Sequence, residues 1–312
     1  MTDRGLIRYR NRIHDSARWA YLELRHDDII VSTPPKCGTT WTQMICVLLI
    51  LGEPTLDRPL SMISPWLDME TRAIGDVVAD LDGQRHRRVI KTHTPRDGLP
   101  YRDGVTYICV GRDPRDVALS MDNHWSNMNE DAFMAARESA LGTPGEPSLA
   151  PPPARAATVR ERFWSWVGDD APPTETGSSL RRTLRHLATF WDVRHDDSVV
   201  LLHYDDLQRD LDGSMRQLAH RLGIVVDDER WPELVDAATY ASMRRNHDKT
   251  VPNAGRGLWH DEERFFNRGA SGQWRELLAN DEDLARYERR VAQLAEPGLA
   301  AWVHGEPAAP SP

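Results

Sequence analysis

Short, nearly continuous apolar runs recur along the chain, each closed by a turn and followed by a helical period. The first, Asp28-Ile29-Ile30-Val31-Ser32, leads through Thr33-Pro34-Pro35-Lys36-Cys37-Gly38 into a segment where Trp41, Met44, Ile45, Leu48 and Leu49 fall at i, i+3, i+4, i+7 and i+8. That spacing predicts a helix with one buried face, stopped at Gly52-Glu53-Pro54. Residues 88–95, 105–110 and 198–204 read as three further strands, the first of them ended by Pro95. Helices are expected at about 180–194 and 213–222, with a mixed helix-like run within 60–82. Apolar strands separated by helices indicate an α/β fold with a central, mostly parallel sheet flanked by helices on both faces. Ligands of such sheets lie beyond the carboxyl ends of the strands.

The texture changes at three places. Residues 1–27 are charged, carry Tyr9, Trp19, Tyr21 and Leu24, and read as an N-terminal arm packed on a main domain of residues 28–300; nothing in the arm signals chemistry. Residues 126–180 are rich in proline and small residues, with one helical piece at 158–167 that carries Phe163, Trp164 and Trp166. A long irregular segment of this kind reads as a mobile cover on the acceptor side, and its aromatics suit either an apolar acceptor or packing on the sheet. Residues 301–312 read as a flexible tail.

Composition narrows the function. The chain has 312 residues, 28% charged and 40% hydrophobic, which suits one globular domain. A formal charge of -9 argues against nucleic acid as a partner and leaves room for a local basic pocket. Cys37, Cys46 and Cys109 are odd in number and sit in or beside apolar segments, the pattern of reduced thiols in a cytoplasmic protein. The first residues lack the apolar run of a signal peptide, and the longest apolar run, residues 45–51, is too short to span a bilayer. Oligomeric state is open.

The candidate chemistry gathers at the strand ends. A tight turn between a strand and a helix points unpaired amides at the positive end of the helix dipole, which favours an oxyanion. Gly38 lets the backbone come close, Thr39 and Thr40 add hydroxyls, and Lys36 adds charge, so the domain reads as P-loop-like. Lys36 precedes the only glycine of the turn, the reverse of the Walker order. The same turn also suits a plain connector. Lys91 and His93, two apart at the end of a strand, share a face, and an imidazole there is the best candidate for a general base. Trp66 suits either an acceptor wall or ordinary packing. The Gly- and Arg-rich loop from residue 251 to 274 suits either a cover over an anion or a surface turn. No spacing of a protein-bound metal site occurs.

Pro35-Lys36-Cys37-Gly38-Thr39-Thr40-Trp41, Lys91-Thr92-His93, Arg112-Asp113-Pro114-Arg115-Asp116-Val117-Ala118-Leu119-Ser120 and Arg268-Gly269-Ala270-Ser271-Gly272-Gln273-Trp274 resemble, in order, the signature segments of the PAPS-dependent cytosolic-type sulfotransferases. Through Ser64-Pro65-Trp66-Leu67-Asp68, Asn127-Met128-Asn129-Glu130-Asp131 and Trp259-His260-Asp261-Glu262-Glu263-Arg264-Phe265-Phe266 the chain is also similar to bacterial glycolipid sulfotransferases. The resemblance implies transfer of a sulfuryl group from PAPS to the hydroxyl of a small-molecule or lipid acceptor, PAP as product and no metal. It implies that Lys36, Cys37, Gly38, Thr39 and Thr40 hold the phosphosulfate, that Trp41, Tyr204 and Tyr240 line the nucleotide, and that Arg112, Ser120, Asn267, Arg268 and Gly269 serve the 3′-phosphate. His93 would be the base, with Lys36 and Lys91 neutralising developing charge. A Mg²⁺-dependent phosphotransferase using Asp113, and a nucleotide-binding protein without catalysis, are the competing readings.

Three positions depart from the family pattern. Cys37 stands where serine is commoner, Gln273 where aspartate precedes Trp274, and Asn267 where arginine is usual. Losing a bidentate, charge-assisted contact costs about 1.5–3 kcal/mol. Asn267→Arg is therefore expected to tighten PAP binding about 10- to 100-fold by calorimetry; no gain in affinity would contradict the assignment.

Overall fold

In a computed structural model the chain is described over residues 5–142, 155–266 and 269–306. Four parallel strands, β1 (Ile29–Ser32), β2 (Val89–Thr92), β3 (Thr106–Gly111) and β4 (Val199–His203), form one sheet in the order β2-β1-β3-β4. Ile30 of β1 pairs in register with Ile90 of β2 and Tyr107 of β3. Alternation along the strands feeds two cores. Ile30, Ile90, Tyr107 and Cys109 face one cluster, and Ile29, Val31, Val89 and Ile108 face the other. Both faces are thus covered by helices, as nearly continuous apolar strands require.

The helix after β1, α1 (Thr39–Leu51), differs from its expected form. Every residue from Thr42 to Leu49 is buried, so it lies inside the second core rather than presenting one face to it, while Trp41 is only half buried. A helix apolar all round is the pattern of an interior element.

The described parts of the segment 126–180 are largely helical. They hold the end of the helix Pro114–Asn127, then Glu130–Leu141 and Val159–Gly168, the last started by a full capping box between Thr158 and Glu161. Residues 143–154, the centre of the proline-rich stretch, lie outside the described residues. At the C-terminus the helix Pro297–Val303 continues past residue 300, with Val303 fully buried and Trp302 packed on Trp191, so the domain runs beyond the expected start of the tail. Residues 307–312 lie outside the description.

From residue 5 onward the arm is part of the structure. Tyr9, Trp19, Leu22 and Leu24 are buried, and a 3-10 turn at Ser16–Tyr21 is capped by Asp15; Tyr21 alone of the expected anchors is exposed. The entry to β1 and β2 is pinned by Arg88, which donates to Asp28 from Nε at 2.7 Å and from Nη2 at 2.6 Å, both side chains being inaccessible to solvent. Removing one member of such a pair strands a buried charge and costs more than the pair contributes. Asp28→Ala should lower stability in urea by about 3–5 kcal/mol, and the apolar double substitution Asp28→Leu/Arg88→Met should recover most of that loss; a single variant as stable as the parent would contradict this.

Candidate active site

Each strand delivers one polar side chain at its carboxyl end. Lys36 follows β1, His93 follows β2, Arg112 follows β3 and Tyr204 follows β4. All four line a single cleft of about 1470 Å³. That exceeds the volume of an ordinary small-molecule pocket and leaves room for two ligands side by side.

The turn after β1 carries local strain. Lys36 adopts φ 68°, a left-handed conformation that costs a non-glycine residue roughly 1–2 kcal/mol. Its carbonyl accepts from Nη1 of Arg112 at 2.9 Å, which holds the strained peptide in place. Gly38 opens α1 at φ 94°, and a Cβ there would meet the Tyr204 ring at 3.0 Å. With no side chain to cap the helix, the first-turn amides are left for another acceptor. Thr39 is tied to Thr33 through their hydroxyls at 2.5 Å, while Thr40 lines the cleft. Cys37 turns the other way. Its thiol is inaccessible, packs in the core and is pushed up to about 12 by burial, so only its backbone belongs to the turn. The cysteine-for-serine departure therefore removes no donor from the cleft.

Arg112 stacks on the face of Tyr204 at 4.1 Å, and Tyr204 meets Trp41 edge-on at 5.4 Å. The Nε of Arg112 is buried without a partner among the described residues, an orphan donor that a bound anion would satisfy. Ser120 lines the cleft from the helix Pro114–Asn127, two turns beyond Arg112. Tyr240 packs against Phe266, and a Cβ on Gly269 (φ 62°) would stand 2.6 Å from the Tyr240 ring, so glycine allows the backbone to close on the aromatic wall. Asn267 and Arg268 lie outside the described residues. Gln273 bonds the Ala270 carbonyl at 2.8 Å within the same loop, and Asp116 anchors that loop by accepting from the Gly272 amide at 2.6 Å.

His93 is held in one tautomer. Its Nδ1 lies 2.7 Å from the carbonyl of Thr33, which can only accept, so Nδ1 carries the proton and Nε2 keeps a lone pair. Burial, and then the charge of Lys91, push this imidazole well below its usual range, so it is neutral at neutral pH. Arg182 fixes the backbone from behind by donating to the His93 carbonyl at 2.9 Å. Lys91 points to the same side, as strand alternation predicts, and both meet one ring. The Lys91 ammonium lies 4.6 Å over the face of Trp66, and the His93 imidazole approaches the same indole at 4.6 Å in an edge contact.

Trp66 therefore belongs to the site, and the reason is its neighbour Asp68. Residues 64–68 run along β2, with the Lys91 amide donating to the Pro65 carbonyl at 2.9 Å. Asp68, fully buried, accepts from Trp66 Nε1 at 2.5 Å, Trp19 Nε1 at 3.0 Å, Thr94 Oγ1 at 2.6 Å and Thr92 Oγ1, and pairs with His14 Nε2 at 3.1 Å. Burial alone would raise this carboxyl, but His14 and the two threonines outweigh it and hold it well below the carboxylate range. The arm contributes more than His14, because Asn11, Arg12 and Ile13 also line the cleft. Nothing in the composition of residues 1–27 marks that role. Asp68 was visible only as the last letter of a motif.

Lys36, Lys91 and Arg112 form one cationic cluster. Burial first, then the charges of Arg112 and Lys91, lower Lys36 to about 7, and burial lowers Lys91 to about 8. The other half of the cleft is aromatic and apolar, walled by Met128, Phe133, Phe163, Trp164, Trp259 and Phe265. Phe163 and Trp166 of the insert are also buried against the first core, so packing and lining go together.

A family model described as "Sulfotransferase domain" matches residues 26–295. Glycolipid sulfotransferases of Mycobacterium bovis (strain BCG / Pasteur 1173P2) and Mycobacterium tuberculosis (strain ATCC 25618 / H37Rv) are each 45% identical to the chain, covering 97% of it and 95% of their own length. Human sulfotransferase 2B1 is 26% identical over 81% of the chain and 62% of its own. Among solved structures, a mouse sulfotransferase complexed with PAP superposes with a TM-score of 0.65 at 18% identity, covering 92% of this chain and 93% of that one. Retinol dehydratase in complex with androsterone and inactive cofactor PAP gives 0.64 at 20% identity, covering 89% and 83%. At these identities the two structures establish the shared fold.

An anion bound among these lysines would raise Lys36 from about 7. Below that pH the lysine is already charged and the dependence is flat; above it, binding must take up a proton and affinity falls as pH rises. Calorimetry of PAP binding at pH 8 in two buffers of different ionisation enthalpy should show uptake of about one proton or more. Zero uptake would contradict the cluster's electrostatics.

Proposed function

The chain belongs to the sulfotransferase family, and on that footing we propose that it moves the sulfuryl group of PAPS to the hydroxyl of a lipophilic acceptor, releasing PAP. The observation that carries the proposal is the His93 tautomer beside the cationic turn, which sets a neutral base and an anion cradle in one cleft.

The donor supplies a sulfuryl group activated by its link to a 5′-phosphate. Lys36, Thr39, Thr40 and the first-turn amides of α1 hold that end. Trp41, Tyr204 and Tyr240 flank the base. Arg112, with its unpartnered Nε, and Ser120 take the 3′-phosphate together with the loop at Gly269; Arg268 joins them as a sequence-based assignment. Nε2 of His93 accepts the proton of the acceptor hydroxyl as its oxygen bonds to sulfur, and the sulfur–oxygen bond to the phosphate breaks. The Thr33 carbonyl steadies the imidazolium through Nδ1–H, and the proton passes later to solvent. Lys36 neutralises the departing phosphate and Lys91 the sulfuryl oxygens, as preorganised charges in a site shielded from water.

The phosphotransferase reading loses its metal ligand. Asp113 caps the helix Pro114–Asn127 through the Arg115 amide and is gripped by the Arg115 guanidinium at 2.7 and 2.9 Å. The acceptor half of the cleft suits an apolar portion of appreciable length, in line with the names of the mycobacterial relatives, and residues 128–134 and 155–178 contribute to its walls. Among the described residues no helix is long and apolar enough to cross a membrane. We place the protein in the cytoplasm on its three buried, free thiols, which fit a reducing compartment.

Labelled sulfate should pass from PAPS to a hydroxylated lipid or phenol without added metal. His93→Ala should lower kcat about 100- to 10,000-fold while PAP still binds by calorimetry. Lys36→Ala should lower kcat about 100- to 1,000-fold. An enzyme indifferent to His93 would leave only nucleotide binding.

A further inference from the structure

A second histidine stands in the acceptor half of the cleft. His124 projects from the helix Pro114–Asn127, one turn beyond Ser120, and lines the cleft. Its ring is set among aromatics, 5.0 Å from Trp259 and 6.0 Å from Phe265. Phe265 in turn lies under the Lys36 ammonium at 4.7 Å, so the imidazole sits one ring away from the phosphosulfate cradle. Among the described residues neither nitrogen of His124 has a hydrogen-bond partner, and neither is among the polar atoms sealed off from solvent. Met128, Phe133 and Trp259 are apolar neighbours in the cleft, and the nearest charges are those of Lys36 and Lys91 on the donor side. A phenylalanine would pack there as well, so packing gives no reason for the two nitrogens.

We propose that His124 is a specificity-determining residue that hydrogen-bonds a second hydroxyl of the acceptor, selecting a polyhydroxylated, sugar-like head joined to an apolar portion. The proposal rests on the sulfotransferase reading. Burial, followed by the charges of Lys36, Lys91 and His93, holds the imidazole well below its usual range. Neutral imidazole offers one donor and one acceptor, the complement of an alcohol, and presents no cation to an apolar tail. His93 keeps the reacting hydroxyl and His124 reads its neighbour. A site built to bond a hydroxyl discriminates strongly against analogues that lack it, since its own polar group is otherwise left unpaired in an apolar wall.

Octyl β-D-glucopyranoside and octan-1-ol share a tail and differ in the head, so their kcat/KM values with labelled PAPS give a direct ratio. His124→Phe, which keeps the aromatic packing, should lower the glucoside-to-octanol ratio about tenfold or more, the worth of one hydrogen bond in a desolvated site. His124→Gln, which restores a donor and an acceptor, should recover much of that ratio, an outcome a purely structural role would not give. A ratio unchanged in His124→Phe, or lowered equally in both variants, overturns the proposal. PAP binding without transfer to the glucoside by the parent enzyme overturns it too while sparing the donor assignment, whereas absence of PAP binding overturns the sulfotransferase reading itself.

Discussion

The site depends on a concentration of positive charge that the fold must hold together against its own repulsion. Lys36, Lys91 and Arg112 converge at the ends of three adjacent strands; burial depresses both lysines, and the charges of Arg112 and Lys91 depress Lys36 further. Covalent order and backbone bonding keep them there. Strand register fixes Lys91 beside β1, the Lys36 carbonyl is held by Arg112, and Arg112 is supported by the Tyr204 ring. The strained conformation at Lys36 belongs to the same arrangement, since backbone strain persists only where its surroundings over-determine it. An anion entering this cluster meets charges already in position, and little reorganisation remains to be done during reaction.

The two halves of the cleft divide the physical work. The donor half is polar, made of turn amides, hydroxyls and cations, and its aromatics stack against a flat base. The acceptor half is walled by side chains from two separate hydrophobic groups, the first core through Phe163 and Trp164 and the small cluster of Met69, Phe133, Val251, Leu258 and Trp259. His93 stands on the seam, with a backbone carbonyl on one nitrogen and the cleft before the other. That placement lets one residue serve chemistry common to many acceptors while recognition is left to the walls.

Much of this was legible along the chain because it follows local rules. Four apolar runs gave the four strands, with ends one residue off except for the run 88–95, which overshoots β2 by three, and the residues just past the strand ends are those the cleft gathers. The parts that were not legible depend on distant contacts. Trp66 suited either an acceptor wall or packing on sequence grounds, since tryptophan is usually buried, and only the pairing of residues 64–68 with β2 sets its ring against Lys91 and His93. His14 carries no sequence signal, since its partner Asp68 is far away in the chain. Side-chain direction misled at Cys37, where family comparison suggested a lost hydroxyl and the thiol in fact points into the core. In α1, periodicity marked one face, and burial by elements on both sides made the helix an interior one. The proline content of 126–180 hid the helix Glu130–Leu141, whereas the helical piece read at 158–167 is the helix Val159–Gly168.

Asp68 carries a consequence for how the molecule comes apart. Its carboxylate is shared by the arm through His14 and Trp19, by residues 64–68 through Trp66, and by β2 and its end through Thr92 and Thr94. Peeling away any one of these segments would leave a buried charge short of donors, a heavier cost than the few contacts broken. The part of the arm from His14 to Trp19 is therefore held more firmly than terminal segments usually are, and its opening is tied to that of the sheet edge beneath it. Opening beside His93 therefore requires the arm and β2 to give up the same carboxylate together.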